Sequence, residues 1–440
     1  MKKQMFALLS LLVLASLVLT ACGGGAAPAQ PTKAPAAPAA GDKPLAGKKV
    51  TIFGVAADEQ ARLFQKEFDA FTQRTGITVE YEGNKDFETL ILVRVEGGNA
   101  PDIAQFAQPG LVADFVKKGK VIDLYSWMDK AYLQKQFKQG YLDMGTANGK
   151  LSGIWHNVDV KSLVWYPKAA FDAKGYKVPQ TWDEMIALSD QIVKDGGTPW
   201  CIGIESAGAT GWVGTDWIED IMLRTTTPEN YDKWTKGELK FSSPEVKNAF
   251  SIMSKVWFNP KYVYGGTPTI LTTGFGDAPK PLFENPPKCW LHRQASFIKN
   301  FFPKEAVYGK DYAYFYLPPI DPKYGKPVLT SGSISVMFND RPEVREVVKF
   351  LATGESMKVE AQAGVGLAPH NDADLTWYPD EGTRGFAKIL ADATVARFDG
   401  SDLMPGAVGA GSFWKGIVDY VQDPTKLDTI LTNIDNSWPK

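Results

Sequence analysis

Between residues 50 and 106 the chain alternates short apolar runs with amphipathic stretches, and this order constrains the fold more than any other feature. Val50-Thr51-Ile52-Phe53 ends at Gly54, and a stretch with Phe64, Phe68 and Phe71 at helical spacing follows. Thr75-Gly76 closes that predicted helix, and Ile77-Thr78-Val79-Glu80-Tyr81 alternates as a strand. Phe87, Leu90, Ile91 and Val95 then mark a second helix, and residues 101–106 lead into a third strand. Strand, helix, strand, helix, strand implies a parallel sheet with helices on its faces, an α/β fold. Ligands of such sheets sit beyond the carboxyl ends of the strands, which points to residues 56–60, Asp58 among them, and to residues 105–110.

The N-terminus places the chain outside the cytoplasm. Met1-Lys2-Lys3 precedes an apolar run over residues 5–19, too short to span a bilayer, which needs roughly 20 residues, and built like a secretory leader. Leu19-Thr20-Ala21-Cys22 resembles the bacterial lipobox, so residues 1–21 are expected to be a signal peptide and Cys22 the lipidated new N-terminus. Residues 22–46 are rich in Gly, Ala and Pro and hold nothing that could form a core, so they are expected to be a tether to the membrane. The formal charge of −2 falls to about −4 once Lys2 and Lys3 are removed and gives no reason to expect nucleic acid. Two cysteines remain, Cys201 and Cys289. Export favours a disulfide between them, with two independent buried thiols as the alternative.

The middle of the chain changes character. In residues 150–167, His156, Asn157, Asp159 and Lys161 lie between the apolar runs Gly153-Ile154-Trp155 and Leu163-Val164-Trp165-Tyr166. Two strand-like pieces crossing between lobes, with polar residues facing a cleft, fit this pattern; so does a half-buried strand with solvated polar positions. Beyond it the alternation restarts. Thr181-Trp182-Asp183-Glu184 is a capping box. Residues 200–204 read as a strand, residues 216–223 as a helix, and Ser243-Pro244 as a helix start with Val246, Phe250, Met253 and Trp257 on one face.

Enzyme motifs are scarce. Carboxylates are plentiful but no spacing singles out a glycosidase pair. Ser206 lacks the preceding glycine of a nucleophile elbow, and His156, His292 and His370 form no H-E-x-x-H pattern. A secreted carbohydrate-active hydrolase stands as the alternative to a binding protein, and sugar turnover separates the two.

Taken together, the lipobox and tether, Thr75-Gly76-Ile77-Thr78-Val79, Ala100-Pro101-Asp102-Ile103, Gly149-Lys150-Leu151 and Pro179-Gln180-Thr181-Trp182-Asp183-Glu184 resemble family 1 extracellular solute-binding proteins from about Gly47 onward. These are the binding subunits of bacterial ABC sugar importers. Residues 203–217 are most similar to the α-glucoside-binding branch. The resemblance implies a two-lobe periplasmic-binding-protein (Venus flytrap) fold, each lobe a β-sheet flanked by helices, joined by three crossovers. The N-terminal lobe is expected over residues 47–156 and 332–362, and the other over residues 157–331 and 363–440. The second crossover is expected at residues 328–336 and the third near residues 364–369. It further implies a monomer without cofactor or metal, an oligosaccharide ligand such as maltose or trehalose, and ABC permease subunits as partners.

Site residues follow from the same resemblance. A pyranose offers apolar C–H faces to aromatics and hydroxyl edges to carboxylates, amides and cations. Trp414, in a C-terminal segment similar to that of maltose-binding members, is the expected stacking platform, and Phe106 a second cleft aromatic. Glu205, Trp212 and Asp216, with Asn157, Asp159 and Lys161 of the crossover, complete the expected lining. The segment that in the family runs toward another stacking Trp reads Lys288-Cys289-Trp290-Leu291-His292-Arg293-Gln294 here, so Arg293 and Gln294 are hydrogen-bonding candidates, or else part of a solvated face.

Overall fold

In the computed structural model the described residues are 43–440; the leader, Cys22 and the tether up to residue 42 lie outside them. The first sheet begins as the alternation predicts. β1 (Lys49–Gly54) buries Val50, Ile52 and Phe53, and α1 (Asp58–Thr75) turns Phe64, Phe68 and Phe71 onto it. Gly76 ends α1 in the left-handed conformation, its amide donating to Thr72. β2 (Thr78–Gly83), α2 (Phe87–Glu96), β3 (Ile103–Phe106) and α3 (Pro109–Lys117) follow. β1 lies between β2 and β3 and is parallel to both.

The first crossover is β4 (Gly153–Val160), continued by β5 (Leu163–Tyr166). Ile154 and Trp155 pack in the first core, Val158 and Val160 in a separate one. β5 then divides by parity, because successive strand side chains point to opposite faces: Val164 and Tyr166 enter the large second core, Leu163 and Trp165 the smaller third.

The second lobe is mostly helical. It contains α4 (Trp182–Lys194), α5 (Trp212–Thr225) and α6 (Pro244–Trp257) around a short antiparallel sheet in which β5 pairs with β6 (His292–Arg293) and β7 (Ala313–Tyr316). Thr181 caps α4 by accepting from the Glu184 amide, and Glu184 reaches back to the Gln180 amide. Residues 200–204, expected as a strand, are extended but not one: Trp200 makes single bridges to Val263 and Leu291, and no ladder continues from either.

β8 (Pro327–Met337) is the second crossover. It runs antiparallel to β4 from Thr330 opposite Val160 to Val336 opposite Gly153, and its far end pairs with β3. Gly332 is required there, since a Cβ would sit 2.2 Å from the Asn157 carbonyl oxygen. α7 (Pro342–Leu351) and α8 (Lys358–Ala363) return to the first lobe, where Glu67 of α1 accepts from the Val359 and Glu360 amides. At the third crossing Val158 and Leu367 exchange both backbone hydrogen bonds at 2.8 Å. Two aromatic-rich cores thus face each other across connecting strands. β9 (Val395–Phe398) pairs with β8, so Phe398 packs in the first core although the sequence reading assigns it to the second lobe. α9 (Gly400–Leu403) abuts α3, and α10 (Trp414–Gln422) lies in the second lobe. Cys201 and Cys289 are joined by a disulfide, with Cα atoms 5.5 Å apart.

Among the described residues no helix is long and apolar enough to cross a membrane.

Candidate solute-binding cleft

A cavity opens between the two lobes, and both line it. The loop after β1 and the start of α1 contribute Asp58; α2 contributes Glu88; β4 contributes His156, Asn157 and Asp159. The second lobe contributes Trp212, Phe275 and Trp414, while Asp399 follows β9 as the N-cap of α9 and Asp402 lies within α9. Asp58 has a left-handed backbone, φ 53°, a conformation that a non-glycine residue holds only when its surroundings impose it.

The aromatic wall has a specific construction. Residues 407–413 are π-helical and lead directly into α10, whose first residue is Trp414. Gly211, at φ 120°, precedes Trp212 and lies so close to Trp414 that a Cβ would be 2.2 Å from its carbonyl oxygen. The two tryptophans therefore enter the cavity from backbones in contact. Phe275 meets the Trp212 ring edge-on, centroids 5.2 Å apart.

The polar wall is held by its own hydrogen bonds. Asn157 donates to Asp159 at 3.2 Å and accepts from the Ser333 amide at 2.8 Å, which ties the two crossover strands together at the cavity. Ser296 donates to Asp159, whose carboxyl is pushed up to about 6 by burial. His156 Nε2 contacts Glu360 at 2.9 Å. Lys161 Nζ donates to Asp216 at 2.7 Å and to Asp399, and stands 5.4 Å from the Trp212 ring centroid. At the mouth of the cleft the Gly208 amide donates to Asp86 across the gap at 3.0 Å, and Lys304 lies 3.7 Å from Glu59.

This arrangement suits a neutral polyol: flat aromatic surfaces beside carboxylates and amides able to bind hydroxyls. Residues 57–358 match the family described as bacterial extracellular solute-binding protein. The chain belongs to that family. As a solute-binding protein it is 46% identical over 395 residues to the osmoprotective compounds-binding protein GgtB of Synechocystis sp., covering 89% of this chain and 93% of the relative. It is 40% identical over 405 residues to the alpha-glucosides-binding periplasmic protein AglE of Rhizobium meliloti, covering 90% and 88%. The solved structure of the bacterial solute receptor AcbH superposes with a TM-score of 0.76 at 16% identity, over 88% of this chain and 98% of that one, which shows the shared two-lobe fold. The family is one of binding proteins, not enzymes, and the hydrolase alternative finds no support in it.

The structure of this solute-binding protein brings together Asp58, Asn157, Asp159, Lys161, Trp212 and Trp414. It places five expected residues elsewhere. The Phe106 ring is fully buried in the first core against Phe87, Phe115 and Phe338, because on β3 it is Gln105, one residue earlier and on the opposite face, that reaches the cavity. Asp216 and Arg293 are buried beneath the cavity floor: Arg293 bridges Asp216 at 3.2 Å and Asp220, and Asp220 in turn binds Arg224 at 2.6 Å. Gln294 is fully buried with its Oε1 accepting from the Ala295 amide, so neither it nor Arg293 belongs to a solvated face. Glu205 lines an adjoining recess with Asp277 and Asn300, its Oε1 accepting from the Ala207 amide.

Cavity residues that sequence reasoning missed include Glu88, Glu360, Asp399 and Asp402, whereas Gln105 opens the stretch 105–110 expected beyond the β3 end. Parity along β3 would have chosen Gln105 over Phe106 within that stretch. Asp399-Gly400-Ser401-Asp402 carried an N-cap signal, realised as the Asp399 carboxylate accepting from the Asp402 amide at 2.9 Å.

Proposed function

We propose that this solute-binding protein captures an α-glucoside such as maltose or trehalose between its lobes and delivers it to the permease subunits of an ABC importer, acting as a monomer outside the cytoplasm and anchored by lipid at Cys22. The observation that carries the reading is the interlobe cavity, lined by Trp212 and Trp414 together with carboxylates from both lobes. The names of GgtB and AglE, an osmoprotectant binder and an α-glucoside binder, support a small glycoside as ligand. The contacts Asp86 to Gly208 and Glu59 to Lys304 span the mouth, which supports capture by closure: a ligand touching both lobes favours the closed form by the contacts only that form makes.

A thermal-shift panel of sugars on the purified protein tests the ligand, since a ligand bound only by the folded state stabilises it by RT ln(1 + [L]/Kd). Maltose or trehalose is expected to raise the melting temperature in a saturable way without turnover, and small-angle scattering to show compaction. No shift with any α-glucoside, or an unchanged radius at saturation, contradicts the reading. Cys22→Ser is expected to release or misprocess the protein in cells, and membrane retention of a correctly cleaved variant argues against the anchor.

A further inference from the structure

The cavity floor holds more buried carboxyls than cations. Asp216, Glu219, Asp220, Asp399 and Asp402 are each at most 5% exposed and lie around Lys161, Arg224 and Arg293, themselves at most 4% exposed. The cations are committed. Lys161 binds Asp216 and Asp399, Arg293 binds Asp216 and Asp220, and Arg224 binds Asp220. Glu219 and Asp402 are left without a cation. A buried carboxylate that lacks one is costly enough that it takes a proton instead.

The two unpaired groups differ in what they face. Glu219 is fully buried, accepts from the Ser401 amide at 2.9 Å and does not line the cavity. Asp402 is 5% exposed and lines the cavity, and among the described residues its carboxyl makes no hydrogen bond. Burial and the neighbouring Asp399 push its carboxyl well above the usual range, Lys161 opposes, and Asp216 and Glu88 add to the rise. α3, which packs on α9, presents Asp114, whose Oδ2 accepts from the Gly406 amide. β9 presents Arg397, already paired with Asp232.

We propose that Asp402 meets the ligand as a neutral carboxyl, donating to one sugar hydroxyl and accepting from its neighbour, so that the cleft selects uncharged sugars with two adjacent hydroxyls. This rests on the sugar reading above and adds the group that enforces it. A carboxyl that keeps its proton supplies the donor that a carboxylate cannot. Exclusion of charged sugars comes from the neighbouring groups, not from the Asp402 proton. Of the ammonium groups lining the cavity, Lys161 is held in a buried pair by Asp216 and Asp399, and Lys85 stands 3.4 Å from Asp58 on the exposed side, so a phosphorylated or carboxylated sugar meets acidic walls and no buried lysine free to pair with it.

Calorimetric titration of the wild type, Asp402→Asn and Asp402→Ala with maltose and trehalose, and with the 6-phosphate of whichever binds, tests this. Asn keeps one donor and one acceptor, so Asp402→Asn is expected to bind at least tenfold tighter than Asp402→Ala, and the wild type to bind the 6-phosphate at least a hundredfold more weakly than the free sugar. Ligand-minus-free infrared difference spectra are expected to show a shifted carbonyl stretch of a protonated carboxyl in the wild type that is missing from Asp402→Asn. Asn and Ala variants of equal affinity, a 6-phosphate bound within tenfold of the sugar, or no infrared shift at saturation would overturn the proposal. Should Asp402→Ala fail to fold, the infrared shift and the 6-phosphate ratio decide. A wild type that binds no sugar in the panel overturns the sugar reading itself, and this inference with it.

Discussion

Lys161 Nζ lies 2.7 Å from Asp216 Oδ1, with the aspartate wholly excluded from solvent and the lysine nearly so. Asp216 also accepts from Arg293, so a single carboxylate joins a residue of the cleft to a cation of the second-lobe core. Removing one member of a buried ion pair leaves the other charge uncompensated, which typically costs about 3–5 kcal/mol. Asp216→Ala is therefore expected to lose stability on that scale in urea unfolding, apart from any effect on sugar affinity. A variant within about 0.5 kcal/mol of wild type, the range of ordinary surface substitutions, contradicts a structural role for the pair.

Trp414 is 3% exposed, so its replacement tests ligand and packing together. Its backbone packs against Gly211, a contact that removal of the indole leaves in place. Trp414→Ala is expected to weaken maltose or trehalose binding about tenfold, equivalent to about 1.4 kcal/mol, while still unfolding cooperatively. Loss of folding without a separable binding defect assigns the ring to the core instead.

The disulfide closes a loop with a sequence separation of 88 residues. In the chain-entropy account a loop of this size contributes about 4–5 kcal/mol, with measured gains often smaller. Cys201→Ala with Cys289→Ala is expected to lower the denaturation midpoint with little change in ligand affinity, because neither sulfur lines the cavity. Non-reducing peptide mapping checks the bond directly; two freely alkylatable thiols after native purification rule it out.

His292 governs part of the acid stability. Its Nδ1 donates to the Cys201 carbonyl and its Nε2 is buried without a partner, so burial pushes the imidazole down to about 4. The unfolded chain, titrating near 6.5, takes up a proton that the folded state refuses. The stability His292 contributes is present above 6.5 and lost as pH falls toward 4, amounting to about 3 kcal/mol by linkage. His292→Gln is expected to flatten the stability profile over that window relative to wild type. Parallel profiles for the two proteins count against it.

How far the chain could be read without its structure follows from the range of the forces involved. Phe64, Phe68 and Phe71 on one helical face with the strands on either side of it, the Thr181 cap and the Pro-led helix after Ser243 rest on periodicity and capping, which operate over a few residues and are written locally. The second and third crossovers and the tryptophans of the cleft were legible through the resemblance to the family, not through periodicity. What the tertiary structure alone decided is which side of an element faces the ligand. One step of strand parity sent Phe106 to the core and Gln105 to the cavity. Asp216 and Arg293 became a buried ion pair because residues 77 apart in sequence converge beneath the cleft with Lys161. Asp399 and Asp402 reached the cavity because β9 pairs with β8 and carries them there from the far end of the chain. Charge compensation in a low-dielectric interior is a sum over every neighbour in space, and no local stretch of residues contains those neighbours.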